Sequence, residues 1–367
     1  AKGNLKLEYL DTCFDSFKDK QNIILFTDND EAGNILQAEL LRRFGYDKCF
    51  KVDYPEGCKD ANDILVKFGA AKLREVIKNV KEFPIDGLIT IDEIYKDINE
   101  FYNNGYPKGV RVGISGFDDL VQFMQGQFTT ITGIPGSGKS EFVDYIMVET
   151  SRNHGWSWAV CSFENQPSSI HATKLMEKAC KKSFAIRANP YDRMSADEFD
   201  KSIEFVNNYF YFININKIDV TLNGILEKAK ELILRKGVQG VLIDPWNYIE
   251  HKSAAGQTET QYISECLTKI KAFALTYGVH VLIIAHPIKM AKTNGKYDIP
   301  TLYNISGSAH FFNKTDNGIT VYRDFETGIV DVHVQKVRYS WLGKIGMASF
   351  NYDIETRQYK IISDTPF

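Results

Sequence analysis

Lys139 and Ser140 close the run FTTITGIPGSGKS, residues 128 to 140, in which Gly133, Pro135, Gly136, Ser137 and Gly138 precede them. Glycines at this spacing let backbone N–H groups turn toward a polyphosphate, the lysine reaches the outer phosphates, and the serine hydroxyl can ligate magnesium. Two acids stand at the ends of other apolar runs, Glu164 in WSWAVCSFEN and Asp244 in GVQGVLIDPWNY. Asp244 fits a magnesium-anchoring acid, and Glu164 fits a group that orients or deprotonates an attacking water. His286 ends VHVLIIAHP, where an imidazole could donate to a γ-phosphate and report its loss. The chemistry these residues suggest is hydrolysis of ATP, or another nucleoside triphosphate, with magnesium. A separate pair, Asp28 and Asp30 in IILFTDNDEAG, resembles half of a second magnesium site.

The elements that must position these groups can be read from periodicity. An apolar strand precedes the phosphate-binding loop and a helix follows it, with Phe142, Val143, Ile146 and Met147 on one face. From Val112 to about residue 290, β runs alternate with helices, which implies a parallel sheet covered on both faces, and the carboxyl ends of its strands would line the nucleotide crevice. Beyond that, GITVYRDFETGIVDVHVQKVRYSW and MASFNYDIETRQYKII read as antiparallel strands with turns at Thr327-Gly328 and Glu355-Thr356.

Residues 23 to 83 read as a smaller α/β unit, with Ala32, Ile35, Leu36, Leu40 and Phe44 on one helix face, ended by Pro84 and Gly87. In TIDEIYKDINEFYNNGYPKG, Thr90 and Glu93 form a capping box, Ile94, Ile98 and Phe101 make an apolar stripe, and Asn103, Asn104 and Gly105 stop the helix. The expected organisation is a domain at 1–83, a linker with an amphipathic helix at 84–111, and an ATPase domain at 112–367.

Composition narrows the function classes. The 367 residues carry a net charge of −3, so any grip on nucleic acid must come from local basic loops. Runs such as VHVLIIA are too short to cross a bilayer. Cys13, Cys49, Cys58, Cys161, Cys180 and Cys266 include no CxxC pair, which argues against a zinc ribbon or a disulfide framework and fits a reducing compartment. A cytoplasmic location in a bacterial or phage-infected cell is expected, with a mitochondrial one left open because the N-terminus reads as incomplete. Two loops are candidates to hold single-stranded DNA: EHKSAAGQTET after the Asp244 strand, and KMAKTNGKYDIPTLYNISGS after the His286 strand. The second carries Lys289, Lys292 and Lys296 against Asp298.

The ordered runs GFDDLVQFMQGQFTTITGIPGSGKS, CSFEN, VLIDPWNYI, IIAHP, ISGSAHFFNKTDN and VQKVRYSWLG resemble the hexameric replicative helicases of the DnaB type, with a RecA-like core. Within that family the resemblance is to the phage primase-helicases and Twinkle. The resemblance covers roughly residues 88 to 367. It implies an ATP-driven homo-hexameric ring on single-stranded DNA, working with other replication proteins. Residue by residue, it implies Lys139 and Ser140 on phosphate and magnesium, Glu164 as catalytic base, Asp244 on magnesium, and His286 as γ-phosphate sensor. Lys336 and Arg338 match the pair this family inserts into the neighbouring subunit's nucleotide site. IILFTDNDEAG resembles the second acidic motif of the toprim fold, and CKDANDILVKFG its closing helix. Toprim chemistry needs an earlier glutamate. The residues before this strand read as the helix LEYLDTCFDSF, so a truncated primase domain without primase activity is expected. A RecA-like recombinase and a non-translocating ATP-dependent DNA-binding scaffold are the alternatives, and Glu164 weighs against the scaffold because a sensor needs no base.

Overall fold

The computed structural model describes residues 13, 15–45, 47–83, 89–186, 193–250, 257–290, 292–293, 296–305 and 308–362. Pro84, Gly87 and most of the expected DNA loop at 250–260 lie outside the described residues. So does most of the expected N-terminal helix, of which Asp15–Lys18 (α1) is described. The chain divides into two units, 1–105 and 106–367.

In the first unit, β1 (Ile23–Leu25) runs parallel to β2 (Cys49–Lys51), and β3 (Lys81–Glu82) pairs with β2 antiparallel. Helices α2 (Glu31–Phe44) and α3 (Ala61–Lys78) start on aspartate caps. Asp30 accepts from the Gly33 N–H at 2.9 Å and Asp60 from the Asp63 N–H at 2.7 Å. The apolar stripe of α2 is rotated from the expected one. Ala32 and Ile35 face solvent, while Gly33 and Leu41 are buried. Gly33 explains the rotation, since a Cβ there would lie 1.9 Å from the Asp28 carbonyl oxygen, so this edge of the helix abuts the chain. Helix α4 (Ile91–Asn104) begins at Thr90, whose N–H donates to Glu93 at 2.7 Å, and it runs through Asn103 and Asn104 to Gly105. None of its residues is buried.

Val110 pairs with Phe123 in an isolated bridge, which joins residues 106–111 to the second unit. That unit is built on a nine-stranded sheet. Its strands are β4 (Phe128–Thr132), β5 (Trp158–Ser162), β6 (Phe210–Phe212), β7 (Gly240–Asp244), β8 (His280–Ile284), β11 (Asn317–Arg323), β12 (Ile329–Val337), β13 (Gly346–Asp353) and β14 (Gln358–Ile361). The order is β14-β13-β12-β11-β4-β8-β7-β5-β6. Strands β11, β4, β8, β7, β5 and β6 are mutually parallel, whereas β12, β13 and β14 are added antiparallel, as expected. A short hairpin, β9 (Lys292–Thr293) with β10 (Lys296–Tyr297), stands apart from the sheet.

The central strands are buried along their whole length because both faces are covered. Val160 and Leu242 point into one apolar layer with Phe142 and Ile146, and Ala159, Val241 and Ile243 into the other with Ile263 and Phe311. Helix α5 (Lys139–His154) is buried from Phe142 to Ser151, and not along one face as its pattern suggested. A second helix, α6 (Ser168–Cys180), packs on its outer side: His171 bonds Asp144 at 2.8 Å, and the fully buried Lys178 pairs with Glu141 and lies 3.9 Å from Asp144. Helices α7 (Ala196–Tyr209), α8 (Leu222–Lys236), α9 (Glu259–Tyr277) and α10 (Ser308–Lys314) complete the layers. No helix among the described residues is long and apolar enough to cross a membrane.

His280, at the start of β8, is fully buried. Its Nδ1 lies 2.8 Å from the Met124 carbonyl and its Nε2 3.0 Å from Thr129 Oγ1. Burial pushes its pKa down to about 4. The folded protein therefore holds this imidazole neutral while the unfolded chain takes up a proton near pH 6.5, so stability is complete above that pH and is lost as pH falls toward 4. Over that window His280 should account for a loss of about 3 kcal/mol. Denaturant unfolding of the wild type and His280→Gln between pH 7 and 4 checks this, since glutamine keeps one donor and one acceptor without titrating. Parallel pH profiles for the two proteins would refute it.

Candidate active site

The phosphate-binding loop leaves β4 at the middle of the sheet. Gly133 has φ +155°, and a Cβ there would sit 2.2 Å from the Val321 carbonyl oxygen, so a side chain would push the loop off β11. Gly138 takes the left-handed conformation as the cap of α5, whose first-turn N–H groups have no intrahelical acceptor. Pro135 and Gly136 are exposed at the rim, while the Ser137 hydroxyl is buried without a partner among the described residues. Lys139 is buried, and its ammonium donates to the carbonyls of Gly133 at 2.9 Å and Ile134 at 3.0 Å. Burial lowers its pKa, and the charges of Glu164 and Asp244 oppose that shift. A phosphate fits this cradle: it would supply an anion for Lys139 and an acceptor for the orphaned Ser137 hydroxyl.

Asp244 stands at the end of β7 with no exposure. One carboxylate oxygen accepts from Ser140 Oγ at 3.4 Å, the other from Ser162 Oγ at 3.2 Å and Asn165 Nδ2 at 3.4 Å. Burial, with repulsion from Asp144 and Glu164, pushes its pKa up to about 6. A cation beside Ser140 would relieve that repulsion. Among the described residues no three His, Cys, Asp or Glu side chains converge on one point. Magnesium here would therefore be held by Ser140, Asp244 and nucleotide oxygens, the usual mode for this ion.

Glu164 follows β5 and His286 follows β8, and the fold joins them: Oε1 lies 3.0 Å from Nε2. The His286 N–H donates to Asn247 Oδ1 at 2.7 Å. Thus Lys139, Ser140, Glu164, Asp244 and His286 gather at the carboxyl ends of parallel strands.

Lys336 and Arg338 do not join them. Val337 pairs with Asn317 and Asn317 with Thr129, so this pair lies at the amino end of β4, opposite the loop. Arg338 Nε lies 2.6 Å from Asp316, a fully buried carboxylate that Lys271 also meets at 2.8 Å and that accepts from the Phe128 N–H at 2.9 Å. Lys336 donates to the carbonyls of Phe312 and Asn313, and burial, with Arg338 nearby, pulls its pKa down to about 8.

Lys289 and Lys292 are exposed, as a DNA contact needs. Lys296 is engaged instead by Asp324 at 3.1 Å and Glu326 at 2.8 Å, which neutralise it locally and weaken its case as a phosphate contact. Asp28 lines an open polar cleft of about 440 Å³ with Thr27, Asn34 and Asp53. Asp30 caps α2 and pairs with Lys59 at 3.2 Å, so its carboxylate already has a structural task. Sequence reasoning missed Ser162, Asn165, Asn247 and Asp316. Ser162, Asn165 and Asn247 carried a signal, each within three residues of a predicted acid, and Asp316 did not.

Residues 109–360 match the family model described as the DnaB-like helicase C terminal domain. The chain belongs to that family. This DnaB-like chain is 38% identical, over 98% of its length, to the Twinkle homolog protein, chloroplastic/mitochondrial, of Arabidopsis thaliana, and spans 52% of that protein. It is 22% identical to the DNA helicase/primase of Enterobacteria phage T3 over 94% of its length, spanning 61% of that relative. The chain therefore spans about half to three-fifths of the length of these two relatives. A solved DnaB-like replicative helicase, described together with its interactions with primase, superposes with a TM-score of 0.60 at 18% identity, covering 90% of this chain and 76% of that one. The mainly parallel, RecA-like architecture of the DnaB-like chain is thereby established.

Proposed function

We propose that this chain is the motor of a replicative DNA helicase, a homo-hexameric ring that translocates on single-stranded DNA by hydrolysing ATP at subunit interfaces. The observation that carries the reading is the Glu164–His286 pair, 3.0 Å apart at the same sheet edge as the phosphate-binding loop. A carboxylate there can orient and deprotonate water for attack on the γ-phosphorus. Lys139 would neutralise the outer phosphates, and Ser140 and Asp244 would hold magnesium. The chemistry magnesium would supply there is neutralisation of charge on the transferring phosphate. His286 would exchange Glu164 for the γ-phosphate.

In this reading Lys336 and Arg338 act on the neighbouring subunit's nucleotide, which their distance from their own loop supports. Helix α4 would dock on an adjacent subunit, since Ile98 remains 40% exposed. Lys289 and Lys292 would meet DNA phosphates, with Lys296 set aside by its carboxylates. The cap and ion pair of Asp30 favour a structural part for the first unit over metal chemistry, so no primer synthesis is attributed to it. Cysteines that form no disulfide among the described residues suit a reducing compartment, the cytoplasm of a bacterial or phage-infected cell or an organelle.

The test is ATP turnover with and without single-stranded DNA, native mass with nucleotide, and unwinding of a forked duplex. Expected are DNA-stimulated turnover, a six-fold mass and strand separation. Affinity should weaken steeply with salt and show little sequence preference. Turnover indifferent to DNA together with no unwinding would overturn the reading.

A further inference from the structure

Directly after Asp244 the chain makes a single 3-10 turn, Trp246–Tyr248, whose ends are fixed in the core. Trp246 is buried with its ring edge-on to Phe311 at 5.9 Å, and Ile249 is buried on the other side. Between these anchors Asn247 and Tyr248 are exposed, Tyr248 by 58%. Asn247 Oδ1 takes the His286 backbone N–H at 2.7 Å. The Tyr248 ring lies nearly parallel to that of Phe163, the residue before Glu164, at 18° with centroids 6.1 Å apart, an offset stack. The turn thus has one arm on each side of the Glu164–His286 contact.

The backbone around His286 is held further. The Ala285 N–H donates to the Ile131 carbonyl at 2.9 Å, and the Ile288 N–H to that of Asn304 at 2.6 Å. With Asn247 completing this set, the imidazole can change partner only by rotating about its own side-chain bonds. Its Nδ1 is buried with no partner among the described residues, so no second hydrogen bond there locks the ring in its present orientation. On the other arm, the Phe163 N–H donates to the Asp244 carbonyl at 2.7 Å and the Asn165 N–H to Ser162 Oγ at 3.1 Å, while the Phe163 side chain packs on the core and against Tyr248, which adds a side-chain brace to the segment bearing Glu164.

We propose that Asn247 and Tyr248 are positioning residues for hydrolysis, bracing the backbone of His286 and the segment bearing Glu164 so that the two side chains trade partners without their main chains moving. This rests on the reading of Glu164 as the base. Among the described residues no side-chain hydrogen bond or ring stack joins either one to the phosphate-binding loop, so the turn should act on the chemical step and not on nucleotide binding. Both are exposed, so their loss should cost little stability.

The experiment measures kcat and KM for ATP, in the presence of single-stranded DNA, together with Tm, for the full chain and four variants: Asn247→Ala, Tyr248→Leu, Tyr248→Phe and Glu164→Gln. Asn247→Ala and Tyr248→Leu are expected to lose about tenfold or more in kcat with KM and Tm near wild type, because displacement of a reacting group by about 1 Å costs up to about 10². Tyr248→Phe keeps the ring and should keep kcat. The inference is overturned if Asn247→Ala and Tyr248→Leu retain wild-type kcat, if KM rises while kcat holds, or if kcat and Tm fall together and Tyr248→Phe shares the loss. Glu164→Gln separates the two levels. An active Glu164→Gln removes the base and the inference with it, whereas an inactive one beside normal Asn247→Ala and Tyr248→Leu removes the inference alone.

Discussion

Glu164→Gln should lower ATP turnover by about 10²- to 10⁴-fold, the range general-base catalysis supplies, while leaving nucleotide binding intact. Glutamine keeps the shape and can still bond His286, so the Glu164–His286 contact at 3.0 Å survives in altered form, and what is lost is the ability to take a proton. The swap also removes one of the charges that raise the pKa of Asp244, so magnesium binding should not suffer through loss of the Asp244 carboxylate. Turnover in steady state and binding of a fluorescent nucleotide analogue, measured on the same preparation, check both halves. Loss of binding alongside turnover would make Glu164 a structural residue.

Arg338→Ala should cost more, about 10³- to 10⁵-fold in turnover, if it acts as an arginine finger on the neighbouring nucleotide. Its removal leaves the buried Asp316 still paired with Lys271 at 2.8 Å and still accepting from Phe128, so the fold should be kept. The decisive form is a mixing experiment. Lys139→Ala and Arg338→Ala subunits, each inactive alone, should regain turnover when combined, because some interfaces then unite an intact loop with an intact finger. Absence of rescue in rings shown by native mass to be mixed would place Arg338 outside the active site.

The parts of this protein legible in its sequence are those governed by neighbours along the chain. The phosphate-binding loop, the strand before it and the helix after it share one short stretch. Asp244 and Glu164 each close an apolar run, and the antiparallel C-terminal strands announce themselves by their turns. What could not be read depends on approach between distant segments. Asn247 becomes a partner of His286 only because β7 and β8 are neighbours in the sheet. Lys296 looked like an unengaged cation until the fold brought Asp324 and Glu326 to it. The phase of α2 turned on the close approach of Gly33 to Asp28, and the all-round burial of α5 on a second layer of helix that its own periodicity cannot reveal.

The buried charges between α5 and α6 bear on how this sequence can diverge. Asp144, His171 and Lys178 are buried against one another with the half-buried Glu141 at their edge, where Lys174 also meets it at 3.1 Å. Removing one member of such a group costs about 3 to 5 kcal/mol, whereas exchanging the whole group for apolar residues of similar volume is close to neutral. Single substitutions at these positions therefore meet a barrier that concerted ones avoid. Across related sequences the four should behave as one inherited character, all present or all replaced together, and a lineage that keeps Lys178 without Glu141 would have had to find it another anion.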